Sequence, residues 1–264
     1  MSWRSEAGRV YAFAKRNVLM AGRNVFFVFE LAFWPTVGVL SIGLMTRFLE
    51  LTPEMTAFLL VGTMALSTVQ VCQLDVSYAL LFDVWSKSVK HQFLAPVEIR
   101  HMALGSWVVG VGRGVTVFAL QALLSWWAFD FDFFEPGVLA LGAFLLGCFL
   151  TSAIVGLLVC SLVVLFGTRA EVSAWATVNL VMVFCGIYYP VSILPAPVTE
   201  LAAAFPLTYV LDAFRSHYGF VSEFSYPVLT GFVLSALYLA LAHWALAAAV
   251  TRCRRTGLLL KLSE

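Results

Sequence analysis

Charge is what this 264-residue chain has least of: Asp, Glu, Lys and Arg make up 12% of it, against 61% apolar residues. A soluble domain carries roughly a quarter charged residues. This chain cannot cover a core with polar surface, so a soluble fold is excluded. Neither sign of charge dominates, with 16 basic and 15 acidic residues, which argues against a nucleic-acid partner. No Gly-Lys dipeptide occurs, so there is no phosphate-binding loop of the G-x-x-x-x-G-K-[ST] kind. His91, His101, His217 and His243 are scattered, without H-E-x-x-H or paired Cys/His spacing for a metal. There is no G-x-S-x-G elbow either. The five cysteines, Cys72, Cys148, Cys160, Cys185 and Cys253, offer no outer pair for a disulfide and read as packing residues. Residues 1–24 hold Arg4, Arg9, Lys15, Arg16 and Arg23 but no apolar stretch of signal-peptide type.

What is present is a series of long apolar runs. They predict an all-α integral membrane protein, one transmembrane domain over residues 1–264 with six spans at 25–49, 55–82, 102–129, 136–167, 172–189 and 225–251. Each run meets the length needed to cross about 30 Å of hydrocarbon at about 1.5 Å per residue. Barrel strands would show short alternating segments instead. The run from Pro136 exceeds a bilayer's need and must tilt or project.

Basic residues set the orientation. With both termini cytoplasmic, that side gathers five bases before the first span, Lys87, Lys90 and Arg100 after the second, Arg169 after the fourth, and Arg252, Arg254, Arg255 and Lys261 in the tail. Only Arg47 and Arg215 fall outside, where the loops are acidic. Val10, Phe13, Ala14, Val18 and Leu19 with interleaved bases suggest an amphipathic helix on the membrane surface within residues 1–24; a solvated basic tail is the plainer reading.

Two connections are not ordinary loops. Residues 84–96 place Val84, Trp85, Val89, Phe93 and Leu94 on a helical spacing, mixed with Lys87, Lys90 and His91, and stop at Pro96. This describes a short amphipathic helix, either interfacial with nothing to bind or a docking ridge for a cytoplasmic partner. In Gly186 to Phe220, Pro190, Pro195, Pro197 and Pro206 forbid one continuous helix, yet the stretches between are too apolar for free loop. Short re-entrant helices over 190–220, shielded by protein or lining a cavity, reconcile the two. Tyr188, Tyr189, Pro190 and Tyr209 flank this break and are the pathway candidates.

These two segments carry a likeness. SVKHQFLAPVEIRHMALG, with Pro96, the Glu98-Ile99 pair and Gly105, resembles the coupling segment of the ABC type-2 transporter permeases. The outer stretch GIYYPVSILPAPVTELAAAFPLTYVLDAFR is similar to that family's aromatic-Pro, Leu-Pro and Pro-Leu-Thr-Tyr pattern with its terminal Arg. Ser88, Val89, Lys90 and His91 depart from the Gly-Thr-Leu-Glu-like start common among relatives. The resemblance implies a permease subunit of a bacterial exporter in the inner membrane, not itself an enzyme and with no cofactor of its own. It also implies a separate ABC ATPase in two copies, which would hold ATP and Mg, and a second permease copy as a homodimer among membrane lipids. The ATPase would dock on Trp85, Lys87, Lys90, His91, Phe93, Leu94 and Pro96, and on the turn with Arg169 and Glu171.

Ionisable groups inside a bilayer are functional candidates by default. Asp75 and Arg113 lie at similar depths on adjacent spans and are expected to pair, as structural glue or as a substrate contact. Glu30 could meet Arg16 or Arg23 at the interface. Trp126, Trp127, Phe129, Phe131, Phe133 and Phe134 read as an outer aromatic belt. A rival reading is a membrane enzyme acting on a lipid head group, which would need Asp75, Arg113 and His243 at one site. A secondary transporter would often show internal repeats, and none is convincing here.

Overall fold

The structure, a computed structural model, describes residues 3–22, 25–89 and 97–256. Among the described residues there are nine α-helices and no strand. In chain order they are α1 (Trp3–Gly22), α2 (Val25–Phe48), α3 (Pro53–Trp85), α4 (Ile99–Phe129), α5 (Val138–Phe166), α6 (Glu171–Phe184), α7 (Ala196–Ala202), α8 (Pro206–Arg215) and α9 (Pro227–Thr256). Local chemistry sets several of the boundaries. Thr52 caps α3 by accepting the Met55 N–H, and Pro53 fills the first helical position, where a missing N–H is harmless. The α4 helix ends where Asp130 turns left-handed, and α5 where Gly167 does.

Four helical stretches are long and apolar enough to cross a membrane: Pro53–Trp85, Ile99–Phe129, Val138–Phe184 and Pro227–Thr256. The 47-residue stretch Val138–Phe184 is a hairpin. Cys160 Sγ reaches the Val76 carbonyl, while Gln73, one turn away on α3, donates to the Ala174 carbonyl at 2.8 Å. The chain therefore reverses in the 3₁₀ turn Gly167–Ala170. The fifth apolar run is helical only over the 14 residues of α6. At about 1.5 Å per residue that is roughly 21 Å, short of a full bilayer core.

The α3 helix is the axis of the bundle, packed against α2, α4, α5 and α6. Lipid is as apolar as the helices, so close approach and interhelical hydrogen bonds hold them together rather than exclusion of water. Gly110 lets α4 lie on the Cys72 backbone of α3, and Gly114 receives the Phe149 ring of α5. Gln121 of α4 donates to the Pro35 carbonyl of α2 at 2.9 Å and to Ser67 Oγ of α3 at 3.1 Å, joining three helices through one amide. Ser77 Oγ donates to Gln73 Oε1 at 3.0 Å and so orients the amide whose nitrogen makes the link from α3 to α6.

At the other end from the α3–α4 connection, the segment between α6 and α9 folds as α7 and α8 with 3₁₀ turns at Val191–Ile193 and Ser216–Tyr218. Arg215 fixes it. Its guanidinium is buried, stacks on the Phe58 ring at 3.4 Å, and donates to the carbonyls of Gly186, Ile187 and Phe58 at 2.7, 2.7 and 3.1 Å. Those carbonyls belong to the turn after α6 and to α3, so one side chain ties three elements. Two residues of the expected aromatic belt belong to this core instead. Phe131 and Phe133 are buried, edge-to-face with each other at 4.6 Å, and continue through Phe118, Phe144, Phe214 and Tyr218. The left-handed turn at Asp130 folds the chain inward and carries them under the outer segment. Trp126, Trp127 and Phe134 stay exposed, and Phe129 lies under the Arg47 guanidinium.

A Cβ at Gly62 would stand 1.9 Å from the Ile187 carbonyl oxygen and 2.7 Å from Arg215 Nη2. Gly62→Ala is expected to destabilise the protein by about 1–3 kcal/mol through overpacking, whereas Gly112→Ala, with open space around it, is neutral. All five cysteines are buried, so a thiol-reactive dye reports thermal unfolding in detergent. Equal melting of the two variants would contradict the tie.

Candidate functional site

The α1 helix lies across the end of the bundle where α3 stops and α4 starts. The face it presents is Glu6, Val10, Phe13, Ala14 and Asn17, on one helical stripe. Gly105 of α4 makes this possible: a Cβ there would meet the Val10 carbonyl oxygen at 2.6 Å and the Ala14 nitrogen at 2.9 Å. Asn17 donates to Ser106 Oγ at 2.7 Å. Tyr11, Val18 and Leu19 remain exposed away from that stripe, and Met20 is exposed beyond its end. The helix thus has two apolar faces, one on the protein and one free to meet lipid.

Two polar junctions fasten it. The Glu98 N–H donates to His101 Nδ1 at 2.9 Å, which leaves the ring proton on Nε2, and Nε2 donates to Glu6 Oε2 at 2.6 Å. His101 is buried, so this is a charge-assisted bond sheltered from water. The hydrogen bond from His101, with Arg9 and Arg100 close by, holds the Glu6 carboxyl below the ordinary carboxylate range. Arg100 pairs with Glu98 at 2.8 Å and lies 3.7 Å from Glu6. At the second junction Arg16 grips both oxygens of Asp83 at 3.1 Å, and Ser88 donates to the same carboxylate. Arg16 therefore reaches α3, because α1 crosses the bundle end; the expected pairing of Glu30 falls on a side chain that, like Arg23, lies outside the described residues.

The junctions bracket the chain between α3 and α4. Lys90, His91, Phe93, Leu94 and Pro96 lie outside the described residues. Trp85 is exposed at the end of α3, and Lys87 turns left-handed beyond it. Cys160 lies beside Val76; nine residues further along each of these parallel helices come Arg169 and Trp85. The turn Gly167–Ala170 packs against α3, so Trp85, Lys87, Arg169 and Glu171 share one end of the molecule. The residues matching the family pattern here each have a physical task. Glu98 and His101 close the start of α4, Ile99 is buried beside them, and Gly105 admits α1.

The Asp75–Arg113 pair expected between adjacent spans is formed, with both side chains mostly buried. Among the described residues Asp75 Oδ2 has no hydrogen-bond partner. His243 is elsewhere, lining a cleft with Arg100 and Arg254. Asp75 and Arg113 do not line that cleft, so the three groups are not brought to one site there. Tyr209 faces inward: its hydroxyl donates to the Ala203 carbonyl at 2.8 Å and its ring packs on Phe224. Tyr189 donates to the Val183 carbonyl, Tyr188 is half-buried, and Pro190 opens the 3₁₀ turn after α6. Sequence reasoning missed a surface near Trp85. Tyr78, Phe82 and Trp85, at i, i+4 and i+7 of α3, form a run of rings 5.8 and 5.3 Å apart, and Trp175 of α6 donates its indole N–H to Tyr78 at 3.1 Å. The spacing was readable, but the arrival of Trp175 was not.

Among the described residues no group of three or more His, Cys, Asp or Glu could hold a metal ion. Long apolar helices braced at one end define a multi-pass membrane protein. Residues 9–218 match the family described as ABC-2 type transporter, so the chain belongs to that family and is a membrane transport subunit of the ABC class. An uncharacterized protein of Archaeoglobus fulgidus is 40% identical to it over 48 residues, which is 18% of this chain and 75% of that protein.

Two outcomes are expected. Removing one partner of a buried pair leaves an uncompensated charge worth about 3–5 kcal/mol. Asp75→Lys should therefore abolish folded yield, and the swap Asp75→Arg with Arg113→Asp should restore part of it; gel filtration reads both, and a well-folded Asp75→Lys contradicts the pairing. A carboxylate with a lowered pKa contributes stability above its unfolded value of 4.5 and loses it as pH falls through the folded one. A spin label at the exposed position 11 should be immobilised at neutral pH, loosen at a pH below 4.5, and be loose at both in Glu6→Gln. A label indifferent to both changes would show that Glu6 does not hold α1.

Proposed function

We propose that the chain is the membrane half of an ATP-driven exporter that moves a hydrophobic or amphipathic molecule across a bacterial cytoplasmic membrane. A lipid, a drug-like compound or a lipid-linked glycan would fit this description. The working unit is a homodimer of permeases with two ABC ATPase subunits that hold ATP and Mg. Six passes would accommodate the chain, as α2, α3, α4, α5, α9 and α6 with the turn that follows it, and the excess of bases on one side supports cytoplasmic termini.

One observation carries the reading. The α1 helix, the end of α3 and the start of α4 are fastened into one unit through Arg16–Asp83 and Glu6–His101, on either side of residues 90–96. A segment held at both ends by a braced frame is suited to transmit a push to the spans as a rigid body. The apolar, basic-flanked character of 84–96 fits a helix seated in a groove of the ATPase, with Arg169 and Glu171 beside it. The exposed rings of Phe82, Trp85 and Trp175 give the same end an aromatic face for an amphipathic cargo. Tyr188, Tyr189 and Pro190 stand at the far end of the route, with Tyr209 bracing it from inside.

Phe93→Glu or Leu94→Glu, co-expressed with the ATPase subunit, should purify at wild-type yield but without the ATPase, and the reconstituted pair should lose substrate-stimulated ATP hydrolysis. Full ATPase retention by both variants, or turnover of a lipid by the permease alone, would overturn the proposal.

A further inference from the structure

The α4 and α9 helices do not close on each other where α1 crosses. Between the start of α4 and the later half of α9 lies a cleft of about 350 Å³. One stripe of α9, at i, i+3, i+7 and i+11, supplies His243, Leu246, Val250 and Arg254, and Ile99 with Arg100 face it from α4. Ile99, Leu246, Ala247 and Val250 give the cleft an apolar wall, beside Glu98, Arg100, Thr251, His243 and Arg254. Three arginines, Arg9, Arg100 and Arg254, gather at this end against two glutamates: Arg100 lies 2.8 Å from Glu98 and 3.7 Å from Glu6, and Arg9 3.1 Å from Glu6. The next turn of α9 adds Arg252 and Arg255. His243 is the only His, Asp, Glu, Lys or Arg in the run 225–251, and it lines this cleft. The cleft opens at the level of α1, whose outer face, with Val18 and Leu19, is free for lipid. Its mouth therefore sits at head-group depth.

We propose that this cleft binds an anionic phospholipid of the cytoplasmic leaflet. The phosphate lies against Arg254 and Arg100, Thr251 supplies a further polar contact below it, and the upper acyl chain runs along Val250, Ile99 and Leu246 toward His243, about 16 Å along the helix from Arg254. Basic pockets between membrane helices on the cytoplasmic side take phospholipid head groups by this combination of charge and apolar wall. A soluble anion would use the arginines but not the wall. The site is separate from the segment assigned to the ATPase, so its failure would leave that assignment untouched.

The test is native mass spectrometry of the full chain in detergent, titrated in parallel with dioleoyl-phosphatidylglycerol and dioleoyl-phosphatidylcholine. Wild type should retain phosphatidylglycerol in preference to phosphatidylcholine. Arg254→Gln should weaken that retention about fivefold, as expected for one interfacial arginine. Ala247→Trp, which fills the cleft without altering charge, should remove it, and Arg255→Gln, outside the cleft lining, should leave it unchanged. Equal weakening by Arg254→Gln and Arg255→Gln with no effect of Ala247→Trp would mean a diffuse basic belt and overturn the site. Full displacement by excess inorganic phosphate would mean a free-anion site and overturn the lipid assignment.

Discussion

In a chain with so few charges, the pairing of Arg16 with Asp83 and of Glu6 with His101 is the constraint on which one whole end of the bundle depends. Elsewhere helices meet through small residues, single amides, the Asp75–Arg113 pair and the Arg215 tie. Here, four ionisable side chains converge at the edge of the apolar region, where water is partly excluded but not absent. Such pairs are strong enough to fix a register and exposed enough not to carry a full desolvation penalty. They turn a surface helix into part of the frame.

The opposite end is held by a different device. Arg215 is buried with backbone carbonyls rather than carboxylates as partners, and its ring contact with Phe58 covers the face of the guanidinium. A charge held through its two terminal nitrogens by carbonyl dipoles fixes the turn after α6 and the short helices around it against α3. Both ends of α3 are therefore pinned, one through carboxylates and one through an arginine. Between them the long helix has the stiffness to connect events at its two ends.

Much of the helix plan was legible because hydropathy and length speak directly about crossing a bilayer. The run at 55–82 became Pro53–Trp85, that at 102–129 became Ile99–Phe129, and that at 225–251 became Pro227–Thr256. The Asp75–Arg113 pair was readable too, since depth follows from counting residues. What stayed hidden were contacts between elements with no fixed phase. Arg16 could have met several acids, and only the crossing of α1 selects Asp83. His101 looked like one of four scattered histidines, yet it closes α4 and holds Glu6. Phe131 and Phe133 have the composition of a belt, and it took the turn at Asp130 to send them into the core.

The central claim is that α1 and the start of α4 move as one body while the transporter works. Asn17 and Ser106 touch across that junction, so cysteines at these two positions can be joined by oxidation. ATP-driven transport by the permease–ATPase complex should continue undiminished after the disulfide forms. If oxidation stopped transport and a reductant restored it, α1 would have to slide on α4 during the cycle, and the braced frame would be the wrong description.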